Sequence, residues 1–222
     1  MPPATGYFQR IREICDRHDI LLILDEVMSG SGRSGTWFAF EQDGITPDIV
    51  TIAKGLGGGY QPIGATIVRG DLHDKIVSRF GSFEHGHTYV GHATACAAAL
   101  AVGDVIDEQG LLDNVVRIGR LVRSELDSAF ADHPHVGDIR GRGMFVGIEL
   151  VDDRSTKAPA DRALAATINR EAMAAGLIVY PGGGCADGER GAHILLAPPF
   201  IYEPGHVDEL VGKLRVVLDK CL

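Results

Sequence analysis

Two residues near the amino end have the types and the setting for covalent chemistry. Asp25 ends the apolar run at residues 20–24, and Lys54 follows a second run at residues 49–53. A lysine desolvated at a strand end has a lowered pKa, and its amine then attacks an aldehyde. A carboxylate beside it can hold a proton on a ring nitrogen. Pyridoxal phosphate is a cofactor that needs both partners. Taken singly, each residue also has an ordinary reading. Asp25 could cap the following turn or face water, and Lys54 could simply point to solvent. Glu26 is the poorer candidate, because strand alternation puts it on the opposite side from Asp25.

The elements that must position this pair can be read from periodicity. Residues 6–18 have an amphipathic helical pattern, with Phe8, Ile11, Ile14 and Cys15 on one face. A helix feeding an unbroken apolar strand predicts a parallel sheet covered on both faces. The Gly/Ser-rich loop MSGSGRSGTW follows, then a second buried strand at 49–53, then GLGGGY and a third strand at 62–68. A His/Gly-rich loop leads into an Ala-rich helix from about Ala93. A long, exposed helix is expected over 111–130.

After His133 the pattern becomes short strands and helices. Two strands around a glycine turn are expected in VGDIRGRGMFVGIELVD. A helix over 159–175 is stopped by Gly176, and strands follow at 177–180 and in HILLA. A closing helix covers 203–222. Residues 106–222 thus read as a small α/β domain. Residues 1–105 read as part of a larger α/β domain.

Composition narrows the function classes. Of the 222 residues 45% are apolar, enough for a packed core. The net charge of −9 argues against nucleic acid or an anionic membrane as the main partner. Cys15, Cys96, Cys185 and Cys221 are scattered, with no CxxC and no zinc spacing, so reduced thiols are expected. The start MPPATGYF lacks the features of a signal peptide, and no apolar run is long enough to span a bilayer. The expected compartment is the cytoplasm.

Three strings occur in order: LLILDEVMSGSGRSGTWFAFE, PDIVTIAKGLGGGYQPIGA and HGHTYVGHATACAAALA. Together they resemble the class III (subgroup II) aminotransferases, the omega-transaminase-like family. The first matches the DEVxxGxGRTG block, with Ser34 where threonine is usual. The second matches the lysine block and the third the HGxTYxGHxxAxAAA block. GRGMFVGIEL and APPFI match the carboxyl-terminal segments.

The resemblance implies a fold-type-I pyridoxal-phosphate-dependent transferase, α/β in class, of which this chain is the carboxyl-terminal portion. Residues 1–105 would then be a partial large cofactor-binding domain. The upstream half of such proteins supplies a phosphate-binding turn and a residue stacked on the cofactor ring, and neither is found here. The chain alone is therefore expected to bind the cofactor weakly.

The resemblance also implies roles, residue by residue. Asp25 pairs with the pyridine nitrogen, Val27 packs on the ring, and Lys54 holds the cofactor as a Schiff base. Thr88 reaches the phosphate bound in the neighbouring subunit, which implies a homodimer. The implied reaction moves an amino group from an amine or amino acid to an oxo acid or aldehyde. Decarboxylases, aminomutases and racemases share the fold and core residues, and a non-catalytic fragment is a further alternative. Arg190 could bind a substrate carboxylate, although its register is displaced, with Gly188 nearer the expected place, and it also reads as an exposed loop arginine. Arg33 suits a buried loop anchor. His85, His87 and His92 belong to the matched block, and no metal site is expected of them.

Overall fold

The computed structural model describes residues 2–222. Two compact units emerge, one of Pro3–Leu112 and one of Asp113–Leu222 together with Pro2.

In the amino-terminal unit, helix α1 (Tyr7–Arg17) lays Phe8, Ile11 and Cys15 against Leu22, Leu24, Phe40 and Ile45. The chain turns sharply at Asp19, where φ is +52°, and enters strand β1 (Ile23–Asp25). Strand β2 (Ile49–Ile52) pairs with β1 in parallel, with Asp25 opposite Thr51. Strand β3 (Ala65–Val68) pairs antiparallel to β2. It starts later than the expected residue 62, because Pro62 has no N–H for a ladder.

One buried carboxylate ties this unit together. Asp48 is 2% exposed; it accepts the Leu22 amide at 2.8 Å and Arg12 at 2.8 Å, and it pairs with Arg69. It therefore joins α1, the entry to β1, the start of β2 and the end of β3. Burial alone would raise its pKa. The Leu22 amide and the two guanidinium groups outweigh that and hold it below the usual carboxylate range.

The expectation of a sheet covered on both faces needs correction. Ile20, Leu21 and Ile23 are 53%, 50% and 58% exposed, and Ile67 on β3 is 45% exposed. Among the described residues of this unit, α1 packs on Leu22 and Leu24, and these side chains stay about half exposed. Helix α2 (Gly70–Phe80) has no counterpart in the sequence expectations. Leu72, Ile76 and Val77 give it only a narrow, half-buried stripe, too weak to stand out from its charged neighbours. Helix α3 (Ala93–Glu108) begins where expected, with His92 Nδ1 accepting the Ala95 amide at 3.4 Å.

The carboxyl-terminal unit closes around a core of its own. Helix α4 (Leu111–Ala129) was expected to be exposed; instead Val115, Ile118, Val122 and Leu126 are fully buried along one stripe. Their spacing of three and four residues is that of an amphipathic helix, with the charged residues on the other side. Strands β4 (Val136–Arg142) and β5 (Phe145–Asp153) form a hairpin longer than expected. Strand β8 (Ala192–Leu196) pairs with β5, and β7 (Tyr180–Gly183) pairs with β8, giving the order β4-β5-β8-β7. Val146, Ile148 and Leu150 alternate inward with Ala192, Ile194 and Leu196 towards α4, α5 (Leu164–Ala174) and α6 (Pro204–Cys221).

Two boundaries differ from the sequence reading. Residues 158–159 form a short strand, β6 (Ala158–Pro159), paired with β5, so α5 starts later. Strand β7 is displaced from 177–180 onto the glycine-rich segment. A Cβ at Gly182 would lie 2.5 Å from the His193 ring, so only glycine lets that ring lie against the strand.

Candidate functional site

The parallel pairing of β1 and β2 sets the geometry of the site. Adjacent strands lie about 5 Å apart and run the same way, so both release their chains at one edge of the sheet. Asp25 is the last residue of β1. Lys54 lies three positions past its opposite number, Thr51. The carboxyl ends of parallel strands are where open α/β sheets bind ligands. Both candidate residues therefore sit at that end, as their place after two apolar runs implied.

Asp25 is exposed, and its Oδ1 accepts the Val27 amide at 2.9 Å. One amide uses only part of the acceptor capacity of a carboxylate. Val27 is half-buried.

Lys54 has an unusual backbone. Its φ is +49°, in the left-handed region that L-residues avoid at a cost of about 1–2 kcal/mol. It opens a single 3-10 turn, Lys54–Gly57, at the end of β2. Such strain at a non-glycine residue is a pointer to function. The side chain is exposed.

The loop after Asp25 is packed onto the loop after Ala53. A Cβ at Gly55 would lie 3.2 Å from the Ser31 Cβ, and Ser31 itself is buried with φ +52°. Ser34, in the place where the family block has threonine, is buried and its hydroxyl donates to the Ser29 carbonyl at 3.1 Å. Arg33 is half-buried in this loop, and burial pushes its pKa down to about 10.

Glu26 is the residue that sequence reasoning passed over. It is 3% exposed, and its two carboxylate oxygens accept the Ala39 amide at 2.6 Å and the Phe40 amide at 2.8 Å. Those amides open the 3-10 turn Ala39–Asp43. Burial raises the Glu26 pKa, against the pull of the two amides. Alternation correctly turned Glu26 away from Asp25, and no sequence signal marked what it would meet there.

Thr88 lies in the exposed turn before α3, between the His87 carbonyl and the Val90 amide that donates to it at 2.9 Å. Arg190 belongs to the carboxyl-terminal unit, in the β7–β8 loop. It is exposed, and both its amide and its guanidinium donate to Asp187, at 2.7 and 2.8 Å. Those contacts hold the Asp187 carboxyl down at about 2. No helix of the described residues is long and apolar enough to cross a membrane.

Comparison with known proteins places these features in a family. The chain is 43% identical over 214 residues to an uncharacterized aminotransferase of Schizosaccharomyces pombe, covering 96% of this chain and 47% of that protein. It is 38% identical to a taurine–pyruvate aminotransferase of Bilophila wadsworthia, with 96% and 47% coverage. A Bacillus anthracis aminotransferase structure superimposes with a TM-score of 0.93 at 34% identity, covering 99% of this chain and 49% of that one. A thermostable (S)-enantioselective omega-transaminase from Thermomicrobium roseum gives 0.90 at 33% identity, with 99% and 48% coverage. The chain thus spans about half the length of the relatives it matches. The class-III aminotransferase family model matches residues 1–218, and with these relatives it shows that the chain belongs to the class-III aminotransferase family.

Proposed function

We propose that this chain carries the lysine and aspartate of a pyridoxal-phosphate-dependent transaminase of the omega-transaminase kind. The observation that carries the reading is the placement of Lys54, left-handed at the carboxyl end of β2, beside Asp25 at the carboxyl end of the parallel strand β1. The membership in the class-III family and the names of the relatives support it.

Bound there, pyridoxal phosphate supplies an electron sink for a carbon that loses its proton. Lys54 would hold the aldehyde end of the cofactor through Nζ, and its amine would serve as the base at the substrate carbon. Asp25 would keep a proton on the ring nitrogen, and Val27 would pack on the ring. Thr88 would reach the phosphate of the neighbouring subunit, in a homodimer. The substrates are an amino donor (amine or amino acid) and an oxo-acid or aldehyde acceptor. Arg190 is a candidate for a substrate carboxylate once Asp187 releases it. Residues 1–105 belong to the cofactor-binding domain and 106–222 to the smaller one.

The test is covalent trapping. Incubation with pyridoxal phosphate, borohydride reduction and peptide mass mapping should place the cofactor on Lys54 ahead of Lys75, Lys157, Lys213 and Lys220. The Lys54→Ala chain should lose the preferred label. Equal labelling of the remaining lysines in the parent chain would rule the assignment out. Amino transfer from a donor amine to an oxo acid then separates a transaminase from a decarboxylase or racemase of the same fold.

A further inference from the structure

Glu26 is an expensive residue to bury, and its surroundings show what offsets the cost. A carboxylate removed from water is tolerated only when its lone pairs are met. Here Ala39 and Phe40 each give an amide to a different oxygen. The backbone of the same residue is equally committed. Its N–H donates to the Thr51 carbonyl of β2 at 2.9 Å, and its carbonyl accepts the Gly30 amide at 2.9 Å. One residue thus joins four segments: the end of β1, the end of β2, the start of the 26–38 loop and the turn that ends it.

That loop is the one whose Ser31 sits against Gly55, next to Lys54. Gly30 is fitted as closely, since a Cβ there would lie 2.9 Å from the Glu26 carbonyl oxygen and 3.0 Å from Oε2. Asp25 precedes Glu26 directly. We propose that Glu26 is a positioning residue, which fixes Asp25 and Lys54 in mutual register by clamping the 26–40 segment onto the ends of β1 and β2. It touches neither cofactor nor substrate. The proposal rests on the transaminase reading for what Asp25 and Lys54 do.

The chemistry of the clamp demands a carboxylate. Glutamine keeps the shape but offers one acceptor oxygen, and its NH2 would face an amide donor. Glu26→Gln should therefore release one side of the clamp. Amide hydrogen exchange at Ala39 and Phe40 should accelerate about tenfold or more. Amides of α1 and β3 should be unchanged, which shows that the amino-terminal unit is still folded.

The pyridoxal phosphate concentration that half-labels Lys54, read by borohydride trapping, should rise by roughly tenfold. Gly30→Ala crowds the same clamp while leaving the Glu26 carboxylate chemically intact, and should give the same shift. Glu41→Gln is the control. Glu41 accepts the Phe38 amide at 2.7 Å in the same turn but is exposed, and its loss should leave Lys54 labelling unchanged.

Faster exchange at Ala39 and Phe40 together with weaker Lys54 labelling supports the proposal. Unchanged labelling in Glu26→Gln and Gly30→Ala overturns it, as does an equal loss in Glu41→Gln. Absence of preferred Lys54 labelling in the parent chain overturns the transaminase reading itself, and the proposal with it.

Discussion

The two compact units handle their apolar side chains in opposite ways. In the carboxyl-terminal unit, Ile118, Ile148, Ile168, Ile194 and Leu214 are fully buried in one continuous core. In the amino-terminal unit the buried cluster is Cys15, Leu22 and Ile45, while Ile20, Leu21, Ile23 and Ile67 stay at the surface. The residues of catalytic type, Asp25 and Lys54, lie in the second of these. Where that cluster is small, polar ties add order: Asp48 at the start of β2 and Glu26 just past the end of β1. In this chain, one continuous apolar core holds the carboxyl-terminal unit, while in the amino-terminal unit buried carboxylates add ties between strands and loops.

The largest effect expected from breaking this contrast is in the core. Leu214→Ala should destabilise the carboxyl-terminal unit by about 2–5 kcal/mol, from lost transfer energy plus the cavity left behind. Ile23→Ala should change stability by no more than about 0.5 kcal/mol, since Ile23 is already exposed. Differential scanning calorimetry of the two variants reads both. Equal losses would erase the distinction between the units.

Next comes the carboxylate hub. Asp48→Asn should cost about 3 kcal/mol, because it leaves Arg12 beside a neutral group. The sign of the pH dependence follows from the direction of each shift. Asp48 has a folded pKa below its unfolded value near 4, so its contribution is complete above about pH 4. That contribution is lost as pH falls through the lower folded value. Burial shifts Glu26 the other way, against the pull of the Ala39 and Phe40 amides, so Glu26 does not share the acid-side loss expected of Asp48. Acid titration followed by exchange at the Leu22 amide should show the Asp48 loss, and the Asp48→Asn chain should lack it.

A smaller effect sharpens the link between strain and chemistry. Lys54→Gly should stabilise the amino-terminal unit by about 1 kcal/mol, since glycine adopts a left-handed φ without penalty. The same change should abolish covalent cofactor capture. A destabilised Lys54→Gly chain would mean that the backbone there is not strained. Smallest of all, Arg190→Ala should shift stability by about 0.5 kcal/mol or less, since its partners lie in an exposed loop.

How far the sequence revealed these things depended on the range of the interactions involved. The apolar runs ending at Asp25 and Lys54 were legible because strand burial leaves a local pattern, and the parallel pairing of β1 and β2 follows from it. Helix α1 and the start of α3 were legible for the same reason. The buried stripe of α4 was misread because its apolar residues alternate with charges, and only their spacing of three and four separates a core face from a solvated one. The late start of α5 depends on β6 pairing with residues 151–153, which no local pattern encodes. Glu26 and Asp48 were hidden for a deeper reason. Their partners lie 13 to 36 positions away, and a buried acid looks like any other acid until its donors are in place.

The central claim is that Lys54 and Asp25 form one cofactor site at the carboxyl ends of β1 and β2. Its most direct test is a pyridoxal phosphate titration with borohydride trapping and peptide mapping, run on the parent chain and on Asp25→Ala. Lys54 should be labelled at the lowest concentration of any lysine, and this preference should weaken when Asp25 is removed. Preferred labelling at another lysine, or a Lys54 preference unaffected by Asp25→Ala, would contradict it.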